Sequence, residues 1–132
     1  NQFNINGIRR DQKEILNIIK NGGKLITAEL SDINGSHGEI ISFLINDNNL
    51  VESFVMSCRV IQREIELFFL DYVIQNISQS IELNFKNTKR NKPVQIFLER
   101  LNVKDTDEQI TICAETINPF KDSINKIFKD NI

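Results

Sequence analysis

Two apolar runs, Gly38–Ile45 and Leu50–Met56, flank the quartet Asn46-Asp47-Asn48-Asn49, and a long stretch at helical spacing follows at once. Asparagine and aspartate accept turn conformations readily, so the quartet predicts a tight antiparallel hairpin. Beyond it, Ile61, Ile65, Phe68, Phe69, Tyr72, Val73 and Ile77 recur at the spacing of one helix face, which predicts a long buried helix from Val60 to about Ile77. Ile81–Phe85 then alternates as a strand does. Two strands separated by a helix cannot form a hairpin. They pair in parallel through a crossover, and such crossovers are right-handed.

The flanks extend the same pattern. Asp11-Gln12-Lys13-Glu14 reads as a capping-box variant, with Asp11 accepting from first-turn amides and Glu14 reaching back. Ile15, Leu16, Ile18 and Ile19 supply the apolar face of that helix, and Gly22–Gly23 ends it. Lys24–Leu30 reads as a strand, and the two glycines of Ser31–Gly38 mark a loop. Val94–Leu101 reads as a short helix with Pro93 in its first turn, and Asp105–Glu108 as a turn before the strand Gln109–Ala114. Pro119–Lys129 is amphipathic through Phe120, Ile124, Ile127 and Phe128. The expected architecture is α/β (α+β), a mixed central sheet with helices packed on both faces. At 132 residues, the segment 1–132 makes one domain with one core, to which Phe68, Phe69, Tyr72 and Cys113 are assigned.

A formal net charge of -2 gives no broad surface for a phosphate backbone, so no nucleic-acid partner is expected. No apolar run nears the roughly 20 residues that span a bilayer, so no membrane partner is expected either. Cys58 and Cys113 form neither a disulfide framework nor a metal-ligand spacing. They are read as reduced thiols in a cytoplasmic protein, with no metal. The chain begins without an initiator Met and without a basic-then-apolar leader, which suggests a piece of a longer protein.

A thiol becomes a useful nucleophile when a neighbour lowers its pKa or takes its proton. The only histidine, His37, is the natural partner for Cys58. A two-residue loop pairs Asn46 with Asn49 and a four-residue loop pairs Ile45 with Leu50; both set position 58 opposite position 37. A three-residue loop or a β-bulge shifts that register by one and turns one side chain to the other face. Asp32 is placed to orient His37, or simply to cap a turn. Cys58 is otherwise a small buried hydrophobe. Arg59 and Arg63 suit a phosphate or carboxylate, or alternatively a helix-start ion pair with Glu64 or Glu66. Thr88 and Asn91 suit an amide-bearing ligand, or alternatively hold their loop. Lys86, Lys89, Arg90 and Lys92 form a basic cluster, either a solvated face or a surface for an acidic protein.

Four segments taken in order carry a resemblance. Phe54-Val-Met-Ser-Cys-Arg-Val60, followed by Glu64 or Glu66, resembles the F-x-M-S-C-R-V…E signature of FkbH-like proteins. Asn1-Gln-Phe-Asn4 with Arg9–Arg10, the loop Ser31-Asp-Ile-Asn-Gly-Ser-His-Gly38, and Thr88-Lys-Arg-Asn91 with Val94 and Phe97 resemble further segments of that family. The resemblance implies a C-terminal domain similar to a GNAT-type acyltransferase, joined in the same chain to an upstream HAD-type phosphatase domain. It implies transfer of a small acyl unit, glyceryl in family members, through a Cys58 thioester to an acyl carrier protein, in polyketide or polysaccharide biosynthesis. His37 would be the base and Asp32 its orienter. Arg59, Val60, Arg63, Thr88 and Asn91 would meet substrate or pantetheine, with the backbone amides of Arg59 and Val60 facing the oxyanion. No cofactor belongs to the domain itself; the carrier's phosphopantetheine arm is the co-substrate. The sequence also departs from the pattern. Arg59-Val-Ile-Gln62-Arg63-Glu64 lacks both glycines of a GNAT pyrophosphate loop, and Leu98 stands where many such enzymes carry a tyrosine. Two alternatives follow: a carrier-docking module without catalysis, and an acetyltransferase using acetyl-CoA directly.

Overall fold

The computed structural model describes residues 2–61, 63–103 and 109–130, and side chains only as far as residue 126 at the C-terminal end. The expected turn at Asp105–Glu108 and the helix-face residues Ile127 and Phe128 lie outside the described side chains, as does Gln62. The elements run β1 (Phe3–Asn4), α1 (Gln12–Lys20), β2 (Lys24–Asp32), β3 (Gly35–Ile45), β4 (Leu50–Met56), a 3-10 turn at Cys58–Val60, α2 (Ile65–Asn76), β5 (Ser80–Asn84), α3 (Lys92–Arg100), β6 (Gln109–Cys113), α4 (Ala114–Ile117), a second 3-10 turn at Asn118–Phe120, and α5 (Lys121–Asp130). The strands form one mixed sheet in the order β2-β3-β4-β5-β6, with β1 also against β4. The chain is thus a mixed α/β domain. β4 and β5 are parallel, as the strand–helix–strand arrangement requires, and the other pairs are antiparallel.

The β4–β5 ladder holds only two pairs, Leu50↔Glu82 and Val51↔Leu83. Beyond them the strands part, and the chain's own N-terminal segment fills the gap. Phe3 pairs with Met56, the amide of Ile5 donates to the Phe54 carbonyl at 3.3 Å, and the Lys86 amide donates to the Ile5 carbonyl at 2.8 Å. Asn6, almost wholly buried, donates through Nδ2 to the carbonyls of Glu52 and Asn84 at 3.0 and 3.1 Å. One side-chain amide thereby ties the two separated strands.

The core lies on one sheet face. Phe43 and Phe54 are opposed across β3–β4 and both pack on Phe69 of α2. Phe3, partnered with Met56, packs on Phe54 and on Phe97 of α3. α4 and α5 lie against α2. The opposite face carries Leu25, Ser42, Leu44, Ser53 and Val55, and α1 approaches it only through its Ile15 side. Helices therefore flank both faces, but very unequally. No residue of α1 is buried, and Leu16 and Ile19 are exposed.

Several local expectations change. β2 and β3 continue through the expected loop and leave only Ile33–Asn34 as the turn. The Asn34 amide donates to Asp32 Oδ1 at 2.8 Å, and Gly35 takes φ +111°, a conformation that closes a tight hairpin. The long helix starts five residues later than predicted because Glu64 sits at φ +60° and separates the 3-10 turn from α2. Tyr72 is half exposed on the solvent side of α2, whose buried side is Glu66, Leu67, Phe69, Leu70, Val73 and Ile74. Asp11 does cap α1, accepting from the Glu14 amide at 2.8 Å. The Glu14 carboxylate instead lies 3.7 Å from Arg10. Cys113 is half-buried rather than in the core, and its thiol donates to the Glu115 carboxylate at 2.9 Å.

Glu66 is the anomaly of that buried side. Its Oε2 is buried with no hydrogen-bond partner among the described residues, and burial pushes its carboxyl above the usual range. An acid whose pKa is raised on folding binds protons more tightly in the native state, so stability falls as pH rises past the ordinary glutamate value. Glu66→Met should therefore raise stability by about 1–3 kcal/mol at pH 7, the cost of an unsatisfied buried polar group. The gain should shrink at pH 4. Urea titration at both pH values measures it.

Candidate functional site

The hairpin tip of β2–β3 and the segment leaving β4 come together at one end of the sheet. Ser57 closes β4 with its amide donating to the Ile40 carbonyl at 2.8 Å, and its hydroxyl accepts from Arg59 Nε at 3.1 Å. Arg59 Nη2 reaches across to donate to the His37 carbonyl at 2.9 Å. His37 Nε2 lies 2.7 Å from Asp32 Oδ2, and Arg63 Nη1 donates to the same oxygen at 3.4 Å. Two arginines, one in the 3-10 turn and one after it, thus clamp the base of the β2–β3 hairpin tip.

This geometry fixes the imidazole. An ionised carboxylate only accepts, so the neutral ring carries its proton on Nε2 and leaves Nδ1 as the basic nitrogen. The hydrogen bond from His37 is the main cause holding the Asp32 carboxyl below the usual aspartate range, helped by the Asn34 amide. A carboxyl whose pKa is lowered on folding contributes stability above its ordinary pKa and loses it as pH falls through the native value. Asp32→Asn should therefore be less stable than the parent protein at pH 7, with the deficit shrinking as pH falls below the ordinary aspartate range toward the lowered native value. Thermal melts at pH 7 and pH 3 check this.

Cys58 is exposed and free at the first position of the 3-10 turn. It is not opposite His37. Asn49 at φ +63° closes a three-residue loop on Asn46, with the Asn46 amide donating to the Leu50 carbonyl. A bulge between Leu44 and Ile45 then shifts the ladder again, to Ile41↔Met56. Extended two residues, that register sets position 58 against Glu39. Among the described residues, no hydrogen bond joins the Cys58 thiol to His37 or to any other group. The structure therefore unites Asp32, His37, Arg59 and Arg63, with Cys58 beside Arg59 in the chain.

The other expected binding residues separate from this group. Val60 is fully buried, and its amide donates to the Ser57 carbonyl at 3.2 Å. The Arg59 amide donates to Ser57 Oγ at 3.3 Å. Both amides expected to face an oxyanion are therefore engaged. Neither Arg59 nor Arg63 forms the expected ion pair with Glu64; Arg100 holds that carboxylate. Asn91 is almost wholly buried and closes the loop before α3. It donates to the carbonyls of Asn4 and Lys86 and accepts from the Thr88 amide and Gln95 Nε2. Thr88 Oγ1 accepts from the Arg90 amide at 3.3 Å.

Sequence reasoning missed the cavity on the sparsely covered sheet face. It holds about 950 Å³ between α1, the segment following β1 and the loop before α3. Arg9 and Arg90 belong to its lining, as do Leu25, Leu44 and Val55. The signals in the sequence were Thr88 and Asn91 with the basic residues Lys86 and Arg90, all of which line it, and the alternation of Leu25, Leu44 and Val55 with core residues on strands too apolar for a solvated face. A smaller hollow of about 260 Å³ shares Ser42 and Val55 with the cavity and reaches Ser57 and Arg59, the two neighbours of Cys58.

No group of three or more metal-ligating side chains occurs among the described residues, and no helix there is long and apolar enough to cross a membrane. No protein family matches the chain, and neither a curated protein nor a solved structure matches it.

Proposed function

We propose that this is an acyltransferase-like domain, similar to the GNAT-like half of FkbH-like proteins, that passes an acyl unit through a thioester on Cys58 to an acyl carrier protein. The observation that carries the reading is the exposed free thiol of Cys58 beside Arg59, whose guanidinium holds the carbonyl of a histidine already oriented by a carboxylate. Among the described residues no hydrogen bond joins the thiol to the ring, so the Cys58 proton passes to His37 Nδ1 through one water molecule. The thiolate attacks the thioester carbonyl, and the resulting oxyanion is balanced by the exposed guanidinium of Arg63, since the amides of Arg59 and Val60 are occupied. Collapse expels the pantetheine thiolate, which takes the proton back from His37. Exchange between thioesters is close to thermoneutral, so positioning and thiolate formation supply the rate. The hollow reaching Ser57 and Arg59 admits the phosphopantetheine arm. Intact-protein mass after mixing with acyl-loaded carrier tests the reading: a gain of one acyl unit that Cys58→Ala lacks supports it, and no gain on an accessible thiol refutes it.

A second reading, a carrier-docking module without catalysis, is favoured by the exposure of Lys86, Lys89, Arg90 and Lys92 around the loop before α3. It expects carrier binding that survives change at Cys58 and weakens when Lys89 and Arg90 are reversed in charge.

A further inference from the structure

The chain carries more acids than bases, yet among the described residues lining the 950 Å³ cavity there is no aspartate or glutamate. Arg9, Lys86 and Arg90 line it, and no carboxylate among the described residues pairs with their side chains. Arg10 also lines it. Its Nη2 is held by Glu52 at 2.9 Å, and its Nε is buried without a hydrogen-bond partner among the described residues. Across the floor the lining turns aliphatic, with Leu25, Leu44 and Val55. Leu25 is 42% exposed, so it presents apolar surface to the hollow.

A cationic wall and an aliphatic floor match a ligand with an anionic end and an apolar body. The volume sits at the upper end of what drug-sized ligands fill, far beyond the need of a three-carbon unit. We infer that the cavity binds an elongated amphiphilic acid, its carboxylate or phosphate on the Arg9, Lys86 and Arg90 side and its aliphatic body along Leu25, Leu44 and Val55. The smaller hollow beside Ser57 and Arg59 lies against the same two residues, Ser42 and Val55, that line the cavity. The acyl unit handled is then a long acid with a terminal anion, not glyceryl. That last statement rests on the acyltransferase reading; the binding itself does not.

Isothermal titration with octanoate and octyl phosphate, against octanol and inorganic phosphate, tests the site. At least one amphiphile should bind ten times more tightly than either control, and which of them does so identifies the anion. Charge reversal at two exposed positions, Arg9→Glu with Arg90→Glu, should weaken that binding at least tenfold, and Leu25→Asn should weaken it severalfold while leaving inorganic phosphate unaffected. Binding by neither amphiphile, equal binding of inorganic phosphate, or indifference to the double charge reversal overturns the inference. Amphiphile binding in a protein that never forms a Cys58 adduct sustains the site and refutes the acyl-transfer reading alone.

Discussion

Asn91→Ala should cost the domain about 2–4 kcal/mol, because it strips hydrogen bonds from several main-chain groups in a place closed to water. The Asn91 amide satisfies the carbonyls of Asn4 and Lys86 at 2.9 and 2.8 Å, and its oxygen takes the Thr88 amide at 3.2 Å. The residue is only 1% exposed, so solvent cannot step in at full value. Asn91→Asp is nearly isosteric and should lose almost as much. It keeps the acceptor but turns the donor into a second acceptor, set against two carbonyls. Urea unfolding at constant slope measures both variants. A loss under about 1 kcal/mol for alanine would mean that ordered water replaces the amide.

Cys58→Ala should abolish the acyl adduct and reduce transfer to the carrier by roughly 10³-fold or more, as loss of a covalent nucleophile does. Stability should scarcely change, since the side chain is exposed and packs into no core. His37→Gln is the sharper companion. It should lower the rate by about 10²–10⁴-fold, the usual worth of a general base. A merely structural histidine would alter the melting temperature without touching that rate. Unchanged transfer with Cys58→Ala sinks the covalent mechanism and leaves the docking module.

The elements were legible because their signals are periodic. The parallel pairing of β4 and β5 follows from an apolar helix lying between two apolar strands, and the cap at Asp11 from one acidic residue before a helical pattern. The register was not legible. In a quartet of nearly equivalent turn residues, nothing in the letters marks Asn49 as the one with positive φ, and the bulge beside Ile45 leaves no trace in composition. Two one-residue shifts moved the position facing Cys58 from His37 to Glu39. β1 was missed because two residues are too few for a period. Its hint was Phe3 and Ile5 buried in the core, alternating with Asn4 and Asn6. Of the candidate site, the Asp32–His37 proximity spans five positions within one hairpin, whereas the partners of Asn91 and the cavity depend on contacts between distant parts of the chain.

The N-terminal segment that fills the gap between β4 and β5 also sets an order of events in folding. Its ties join residues 78 and 87 positions apart, Asn6 with Asn84 and Asn4 with Asn91. Such contacts are slow to form because the intervening loop must close first. On a ribosome the first residues of this segment emerge early and wait until the loop before α3 has cleared the exit tunnel. During that interval Phe3 and Ile5 stand exposed, and the sheet is left open along the flank of β4. A nascent chain arrested before Asn91 should be a good client for chaperones that hold unpaired apolar strands, and synthesis past the point where the loop before α3 emerges should end that dependence.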